Sequence, residues 1–425
     1  MLELSPKHHI LFYLPLIPSF VIFFYLNDQL VKKNILISVL ISIFGYLATN
    51  SLIPIVAEYT LKKNICGKDL GKKGTDLESV LIPEALGLVP GTIFIISAIL
   101  SQLIFAESDK ERMIYNSALF SVCFMIFLGF CDDTLELTWR YKLLLPTIAS
   151  FPLLASYNGS TAIFIPSPIN SLLMTQNRLT ALGNLVNIIA TVDLKANGSI
   201  VELGSLFLLF MGFLAVFCTN SINILAGING LESGQAYVIA CGILFFKFYD
   251  IYVGGSGQNQ LFAILMILPF IGTTLSLLKY NWFPAKVFVG DTFCYFSGMT
   301  FAVIGIHGHF SKTLLLLFIP QILNFIYSIP QLFKILPCPR HRLPKFDCKS
   351  GLLFPSTFNC QKHEYIWFKC NNSDTECPNC TLLCLVLRIF GPMKEDTLCL
   401  FMLGIQMMST VMAFLIRYYL FNDKL

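Results

Sequence analysis

Apolar stretches long enough to cross a lipid bilayer recur from one end of this chain to the other. A transmembrane helix requires about 20 apolar residues, and hydrophobic side chains make up 55% of the 425 residues. Charged residues account for only 13%, against roughly a quarter in soluble domains, which excludes a soluble globular enzyme. The sequence therefore predicts an all-α polytopic membrane protein. Eleven apolar windows cover residues 10–26, 35–57, 85–106, 113–131, 143–157, 201–219, 233–249, 261–278, 293–306, 313–333 and 397–418.

The first window differs from the others because it contains Pro15 and Pro18 and follows a short basic start. It fits either a membrane span or a signal peptide. Since no small-x-small cleavage pattern follows Leu26, we favour a span. We therefore expect an extra N-terminal hydrophobic segment, a span or signal anchor, in residues 1–34. Residues 35–425 should form a transmembrane domain with about ten helices.

Basic residues are concentrated in alternate connections between the windows. If consecutive windows cross the membrane in opposite directions, five connections share one face, and the positive-inside rule assigns that face to the cytoplasm. The net charge of +4 is small for this length, and the basic residues form local clusters, which argues against a nucleic-acid partner. We expect residues 335–396 to form a small cytoplasmic α/β insertion before the last helix. The five connections are residues 58–84, 132–142, 220–232, 279–292 and 334–396.

The first polar motif is an acidic pair, Asp132 and Asp133, at the end of an apolar window. Adjacent carboxylates repel each other unless a divalent cation lies nearby or one of them holds a proton, and both conditions suit phosphoryl chemistry. The alternative is a solvated helix end with the long side chains of Arg140 and Lys142 reaching toward the interface. Taken alone, the pair leaves both interpretations open.

The second motif joins two windows and contains three asparagines, Asn220, Asn223 and Asn229. Their amides offer neutral donors and acceptors at a membrane boundary, and Gly227 and Gly230 allow a ligand to approach the backbone closely. A polar turn that caps two helices is the alternative. A plain turn, however, does not require three regularly spaced asparagines.

The third motif places Asp291 directly before an apolar window. A carboxylate at that depth is costly unless it is paired or coordinated, which makes Asp291 a functional candidate. The alternative is an ordinary N-cap, because Asp is favoured at helix starts.

The fourth motif, Arg340-His341-Arg342, lies between prolines. Arginine suits bidentate binding of phosphate, although a basic anchor beside the membrane would have the same composition. A further polar cluster, from Lys68 through Lys72 to Glu84, is compatible with a basic amphipathic connector.

Together, the four motifs resemble those of the polyprenyl-phosphate N-acetylhexosamine-1-phosphate transferases, and specifically their eukaryotic branch. The resemblance extends from about residue 35 to residue 417, with the motifs in the same order and all on one predicted face. Bacterial members are less similar, because Ala226 stands where they carry an aspartate and Arg340-His341-Arg342 replaces their histidine-rich loop.

The resemblance implies a Mg²⁺-dependent enzyme in which Asn223 and Asp291 hold the metal. Asp132, supported by Asp133, would assist the lipid phosphate nucleophile, and Lys142 would contact phosphate. His341 is expected among the catalytic residues, in the loop that binds the sugar and diphosphate. The residues expected to bind the substrate are Leu70, Glu84, Asn220, Gly227, Asn229, Arg340 and Arg342.

The reaction implied is transfer of N-acetylglucosamine 1-phosphate from UDP-N-acetylglucosamine to dolichyl phosphate, which releases UMP. This reaction begins lipid-linked oligosaccharide synthesis for N-glycosylation. The resemblance also implies an endoplasmic reticulum membrane location, an active site on the cytoplasmic face, a homodimer and sensitivity to tunicamycin. A nucleotide-sugar transporter is the strongest alternative, and a non-catalytic membrane scaffold is the second.

Overall fold

The computed structural model describes residues 11–72, 74–75, 77–165, 167–175, 178–193, 200–254, 258–339, 342–359 and 376–420. Within these residues the chain is a helical bundle with a few very short strands between the helices. The helices are α1 Ile17–Tyr25, α2 Gln29–Lys62, α3 Leu88–Phe105, α4 Asp109–Leu135, α5 Trp139–Ala155, α6 Ser167–Leu173, α7 Ala181–Val186, α8 Ser205–Ile224, α9 Leu231–Tyr252, α10 Gln258–Asn281, α11 Gly290–His307, α12 Ser311–Leu317, α13 Ile319–Leu332, α14 Leu382–Phe390 and α15 Glu395–Leu415.

Each of the eleven apolar windows overlaps a helix, which confirms the all-α polytopic class. Among the described residues, seven helices are long and apolar enough to cross a membrane. The number rises to eight if α12 and α13, which meet at a bend of 69°, form one span. The count of about ten spans stays a prediction.

The helix starts follow local sequence signals. Ser108 and Glu111 form a capping box at α4, in which the Glu111 N–H donates to Ser108 Oγ at 3.2 Å and the Ser108 N–H donates to Glu111 Oε2 at 3.0 Å. Asp28 caps α2 by accepting from the Leu30 N–H at 2.8 Å. Helix α2 then continues through residue 35 to Lys62. The division of the chain at residue 34 stays a prediction.

The N-terminal segment packs on the body of the bundle. The ring of Phe12 meets the ring of Trp282 edge-on at a centroid distance of 5.0 Å. The Tyr237 hydroxyl donates to the Phe12 carbonyl oxygen at 2.7 Å. These contacts tie the first window to α9 and to the segment after α10.

Helices α9, α10 and α11 form the centre of the bundle. In α9 and α10, 83% and 89% of the apolar window is buried, against 28% in α2 and α15. The outer helices therefore leave most of their apolar surface for lipid, whereas the central ones pack against protein. Glycines permit the closest approaches, as small residues do in membrane bundles. A Cβ at Gly129 of α4 would lie 2.5 Å from Thr292 Cα of α11, and one at Gly298 of α11 would overlap the Cys218 carbonyl of α8.

The strands belong to the connections. An antiparallel pair, β1 Cys66–Lys68 and β2 Leu81–Pro83, closes the connection from α2 to α3. The connection from α5 to α8 contains β3 Ala162–Phe164, β4 Met174–Thr175, β5 Arg178–Leu179, β6 Thr191–Val192 and β7 Ile200–Glu202. The predicted insertion contains β8 Lys345–Asp347, β9 Leu352–Phe354, β10 Thr357–Asn359, β11 Glu376–Pro378 and α14. Its location on the cytoplasmic side stays a prediction.

Candidate active site

A cavity of about 650 Å³ lies where the ends of several helices meet. All five of the connections that the sequence places on one face contribute residues to it. The lining residues are Lys68, Asp69, Leu70, Glu84, Asp132, Asp133, Glu136, Leu137, Lys142, Asn223, Gly227, Ile228, Asn229, Glu232, Asn281, Phe288, Val289, Gly290, Asp291, Cys294 and Leu343.

Lys142 connects two acidic motifs that are far apart in the sequence. Its Nζ lies 2.8 Å from Asp132 Oδ2 and 2.9 Å from Asp291 Oδ2. The lysine occupies the first turn of α5, while the two aspartates lie in the last turn of α4 and the first turn of α11. The alternative in which Lys142 reaches away toward the interface is therefore wrong.

Asp132 is buried and firmly oriented. Its side chain is 1% exposed, and Oδ2 accepts from the Tyr295 hydroxyl at 2.8 Å in addition to contacting Lys142. Its other oxygen accepts from the Leu137 N–H at 3.0 Å. Three donors on three segments thus fix both oxygens, and Asp132 is no solvated helix end.

Asp133 points to a different partner, the start of α11. Its Oδ1 accepts from the Asp291 N–H at 2.6 Å, and its Oδ2 accepts from the N–H and hydroxyl of Thr292. Asp133 therefore satisfies N–H groups that the helix itself leaves unpaired. The alternative that Asp291 serves as an ordinary cap is wrong, because the capping carboxylate comes from α4.

The asparagines of the second motif separate into different environments. Asn223 lines the cavity and donates its Nδ2 hydrogen to Asp291 Oδ1. Asn220 is absent from the cavity lining, and its amide donates to the Val216 carbonyl at 2.9 Å and to the Lys142 carbonyl at 3.4 Å. Asn220 thus supports the backbone that carries Lys142.

The cavity is also lined by four of the candidates for substrate binding: Leu70, Glu84, Gly227 and Asn229. Gly227 has a φ of +117°, and a Cβ there would overlap Leu343, so both conformation and space favour glycine. Burial raises the pKa of Glu84, and the negative charges of Asp291 and Glu136 raise it further.

The arginine-histidine loop is described only in part. Arg340 and His341 lie outside the described residues. Arg342 is described, is absent from the cavity lining, and has a buried Nη1 without a hydrogen-bond partner among the described residues. The next residue, Leu343, does line the cavity. The roles expected for the loop therefore stay predictions.

The chain is similar over most of its length to proteins of one named family. Over 421 aligned residues the chain is 41% identical to the UDP-N-acetylglucosamine–dolichyl-phosphate N-acetylglucosaminephosphotransferase of Dictyostelium discoideum, and the alignment covers 95% of this chain and 94% of that protein. The chain belongs to this family. Proteins with the same name from Saccharomyces cerevisiae and Schizosaccharomyces pombe are 38% and 36% identical, with 88% and 91% of the chain covered and 89% and 93% of the relatives.

The family model for glycosyl transferase family 4 matches residues 115–309. That region includes the acidic pair, the asparagine motif and Asp291. Leu70, Glu84 and Leu343 lie outside it but line the same cavity. Segments on both sides of the matched region thus complete the site of this N-acetylglucosaminephosphotransferase family member.

The charge of the cavity indicates what can bind there. Seven carboxylate side chains and two lysines line it, so an anionic ligand needs additional positive charge. The described residues contain no group of three or more His, Cys, Asp or Glu side chains placed to hold a metal. Mg²⁺ does not require such a group, because it commonly binds one or two carboxylates and completes its shell with waters and substrate phosphates. The oxygens of Asp291 and Asn223 fit that pattern.

Sequence reasoning missed three supporting side chains. Tyr295 lies within an apolar window, and Glu395 precedes the last one, with no motif around either. Lys72 belongs to the predicted basic connector but is only 3% exposed, so that interpretation is wrong for this residue. Tyr295 contacts Asp132, and Lys72 contacts Glu395, so these partners lie far apart in the sequence, although Lys72 also contacts Asp69 three residues away. No local signal identifies the long-range pairs.

Proposed function

We propose that the protein transfers N-acetylglucosamine 1-phosphate from UDP-N-acetylglucosamine to dolichyl phosphate, releasing UMP and leaving dolichyl diphosphate-N-acetylglucosamine. The observation that carries this proposal is the position of Lys142 between Asp132 and Asp291 in a cavity at helix ends. The names of the relatives describe the same donor and acceptor. The reaction would be the first step of lipid-linked oligosaccharide synthesis for N-glycosylation.

In this proposal Asp291 and Asn223 hold Mg²⁺, which when bound would neutralise negative charge on the diphosphate and on the UMP leaving group. Two features support the fit. Both side chains offer the hard oxygen ligands that Mg²⁺ prefers, and the excess of carboxylates in the cavity calls for a cation before a diphosphate can enter.

The chain's own residues then bind and orient the substrates. A phosphate oxygen of dolichyl phosphate attacks the β-phosphorus of the sugar nucleotide, the bond from that phosphorus to the bridging oxygen breaks, and UMP leaves with that oxygen. Lys142 would contact a phosphate, and Asp132 would assist the attacking phosphate. Asp133 has a positioning role, because it accepts a hydrogen bond from the Asp291 N–H and so holds the start of α11, which carries Asp291. We infer direct attack without an aspartyl phosphate intermediate, and a trapped labelled phosphoenzyme would contradict this.

The proposed cellular setting follows from the two substrates. One is a lipid whose phosphate lies at a membrane interface, and the other is water soluble, so the reaction must occur near helix ends. We propose an endoplasmic reticulum membrane protein with its site on the cytoplasmic face, supported by the basic connections. Tunicamycin sensitivity and a homodimer are parts of the same proposal.

The site does not favour the nucleotide-sugar transporter. Transporters bind their substrates near the middle of the bilayer, at broken helices. Here Asp132, Lys142, Asn223 and Asp291 all lie in the first or last turns of their helices. A non-catalytic membrane scaffold, in turn, has no need of the ion pairs that join Lys142 to Asp132 and Asp291.

The deciding experiment measures UMP release by the full-length protein in detergent with lipid, supplied with UDP-N-acetylglucosamine and dolichyl phosphate. We expect release that requires both the lipid and Mg²⁺ and that Asp291→Asn abolishes. Asp109→Asn is the matched control, because the Asp109 side chain is 98% exposed outside the cavity. UDP binding without any UMP release would contradict the proposal.

A further inference from the structure

Buried Lys72 and Glu395 form a cluster of ionisable side chains with Asp69, which lines the cavity, and the proposed reaction does not use this cluster directly. Lys72 is 3% exposed and is absent from the cavity lining. Its Nζ lies 3.2 Å from Asp69 Oδ2 and also forms an ion pair with Glu395, whose side chain is 6% exposed. The same ammonium lies 4.8 Å from the centroid of the Phe283 ring, a favourable cation–π distance. Lys72 is thus held from several sides.

Both acids of this cluster bind the same cavity residue, Asn229. The Asn229 backbone N–H donates to Glu395 Oε1 at 2.8 Å, and its side-chain Nδ2 donates to Asp69 Oδ2 at 3.0 Å. An ionised carboxylate accepts hydrogen bonds and cannot donate them. Asp69 therefore orients the side-chain amide of Asn229 so that its NH₂ group faces the Asp69 carboxylate. The carbonyl oxygen of the same amide is the end that can accept a hydrogen bond from a ligand.

Lys72 makes this arrangement electrostatically possible. Without it, the carboxylates of Asp69 and Glu395 would stay close together on either side of Asn229 with no cation between them. Buried carboxylates that lose their counter-ion become strongly unfavourable, and they respond by moving apart. If Asp69 moved away from the Asn229 Nδ2, the orientation of the amide would no longer be fixed.

We propose that Lys72 is a positioning residue for nucleotide recognition, which fixes the Asn229 carbonyl as a hydrogen-bond acceptor for the nucleobase. The proposal rests on the proposed function and adds a specificity device to the same site. An acceptor in this position selects a base that presents an N–H donor, as uracil does at N3. A base methylated at that nitrogen loses the donor.

Kinetics of the full-length protein provide the first test. Lys72→Met keeps the length of the side chain and removes the charge. Losing hydrogen bonds that involve charged groups should raise the KM for UDP-N-acetylglucosamine roughly tenfold or more, with kcat and the KM for dolichyl phosphate within about twofold. Lys72→Arg should restore much of the affinity. Lys62→Met is the control, because Lys62 forms an exposed pair with Glu58. A fall in kcat with unchanged KM would overturn the proposal.

Binding provides a second test that does not depend on turnover. Calorimetry with UDP and with 3-methyl-UDP should show that the wild type prefers UDP and that Lys72→Met narrows this preference. An equal ratio in the two proteins would overturn the proposal, since a steric effect of the methyl group would persist in the variant. If Lys72→Met does not fold, Glu395→Gln and Asp69→Asn take its place, with lower UDP affinity expected in both. A wild type that binds UDP without releasing UMP would refute the proposed function and still allow the ratio to be measured.

Discussion

Asp133 caps the helix that presents Asp291, although the two residues are 158 positions apart. The neighbouring Asp132 instead meets the same lysine as Asp291 does. The adjacent acids of the pair thus have different tasks. One orients the backbone around Asp291, and the other belongs to the charged centre of the cavity.

Replacing Asp133 separates capping from chemistry. Asp133→Ala leaves the first N–H groups of α11 without their acceptor, and loss of a cap costs roughly 0.5–2 kcal/mol. We expect a lower melting temperature together with much weaker UMP release. Asp133→Asn keeps one acceptor oxygen and should retain more of both properties. An Asp133→Asn protein with wild-type melting temperature and no activity would indicate a direct chemical role instead.

Tyr295 should affect activity through Asp132. Tyr295→Phe removes the hydroxyl that donates to Asp132 Oδ2 at 2.8 Å, and the loss of such a bond to a charged group costs roughly 1.5–3 kcal/mol. We expect reduced kcat and a lower melting temperature. Tyr115→Phe is the matched control, because the buried Tyr115 hydroxyl has no hydrogen-bond partner among the described residues. That change should leave activity unchanged and stability equal or higher. Equal effects of the two substitutions would contradict this account.

Two glycines separate backbone strain from steric overlap. Gly227 and Gly254 have φ values of +117° and +108°, so alanine is strained at both. At Gly227 the new Cβ would overlap Leu343, whereas no described residue lies within 4 Å of a Cβ at Gly254. We expect Gly227→Ala to abolish UMP release and Gly254→Ala to lower only the melting temperature, by the equivalent of about 1 kcal/mol. If Gly227→Ala remained active, Leu343 would not restrict the cavity.

The raised pKa of Glu84 makes stability depend on pH. Below the ordinary value of 4.5, the carboxyl is protonated in both the folded and the unfolded chain and has no effect. As pH rises from the ordinary value through the raised pKa of the folded state, the unfolded chain loses this proton before the folded chain does, so the free energy of unfolding falls. Glu84→Gln should remove this loss and melt at a higher temperature than the wild type at neutral pH. Melting temperatures of both proteins, measured from below pH 4.5 to neutral pH, check the prediction. Parallel dependence of the melting temperature on pH in the two proteins would refute it.

Hydropathy alone located every helix except α6, α7 and α14, because each apolar window had to be buried in lipid or protein. It did not reveal the bend of 69° between α12 and α13, which lies inside one continuous window. Pro320 follows the first residue of α13 and cannot donate the N–H that would continue the preceding helix. The bend is therefore visible in the sequence only as a proline within an apolar segment.

The charged centre was predictable because carboxylates at the ends of apolar windows are conspicuous. Asp132 and Asp291 were found in this way, whereas the roles of Lys142 and Asn223 were implied by the family resemblance. All four line one cavity. The supporting side chains depend on contacts between distant segments: Tyr295 contacts Asp132, and Lys72 contacts Glu395 near Asn229. Asn220 had the same local signal as Asn223, but it lies one turn earlier in α8 and donates to backbone carbonyls.

The close approaches at Gly129 and Gly298 have a consequence for how such a sequence can change. Helix α11 meets the backbone of α4 on one side and of α8 on the other, so it cannot slide past either. One residue inserted between Asp291 and Gly298 would rotate the aspartate by about 100° about the helix axis and point it out of the cavity. An insertion in the connection from α5 to α8 disturbs no such register. Length variation among related chains should therefore collect in that connection and avoid the segment from Asp291 to Gly298.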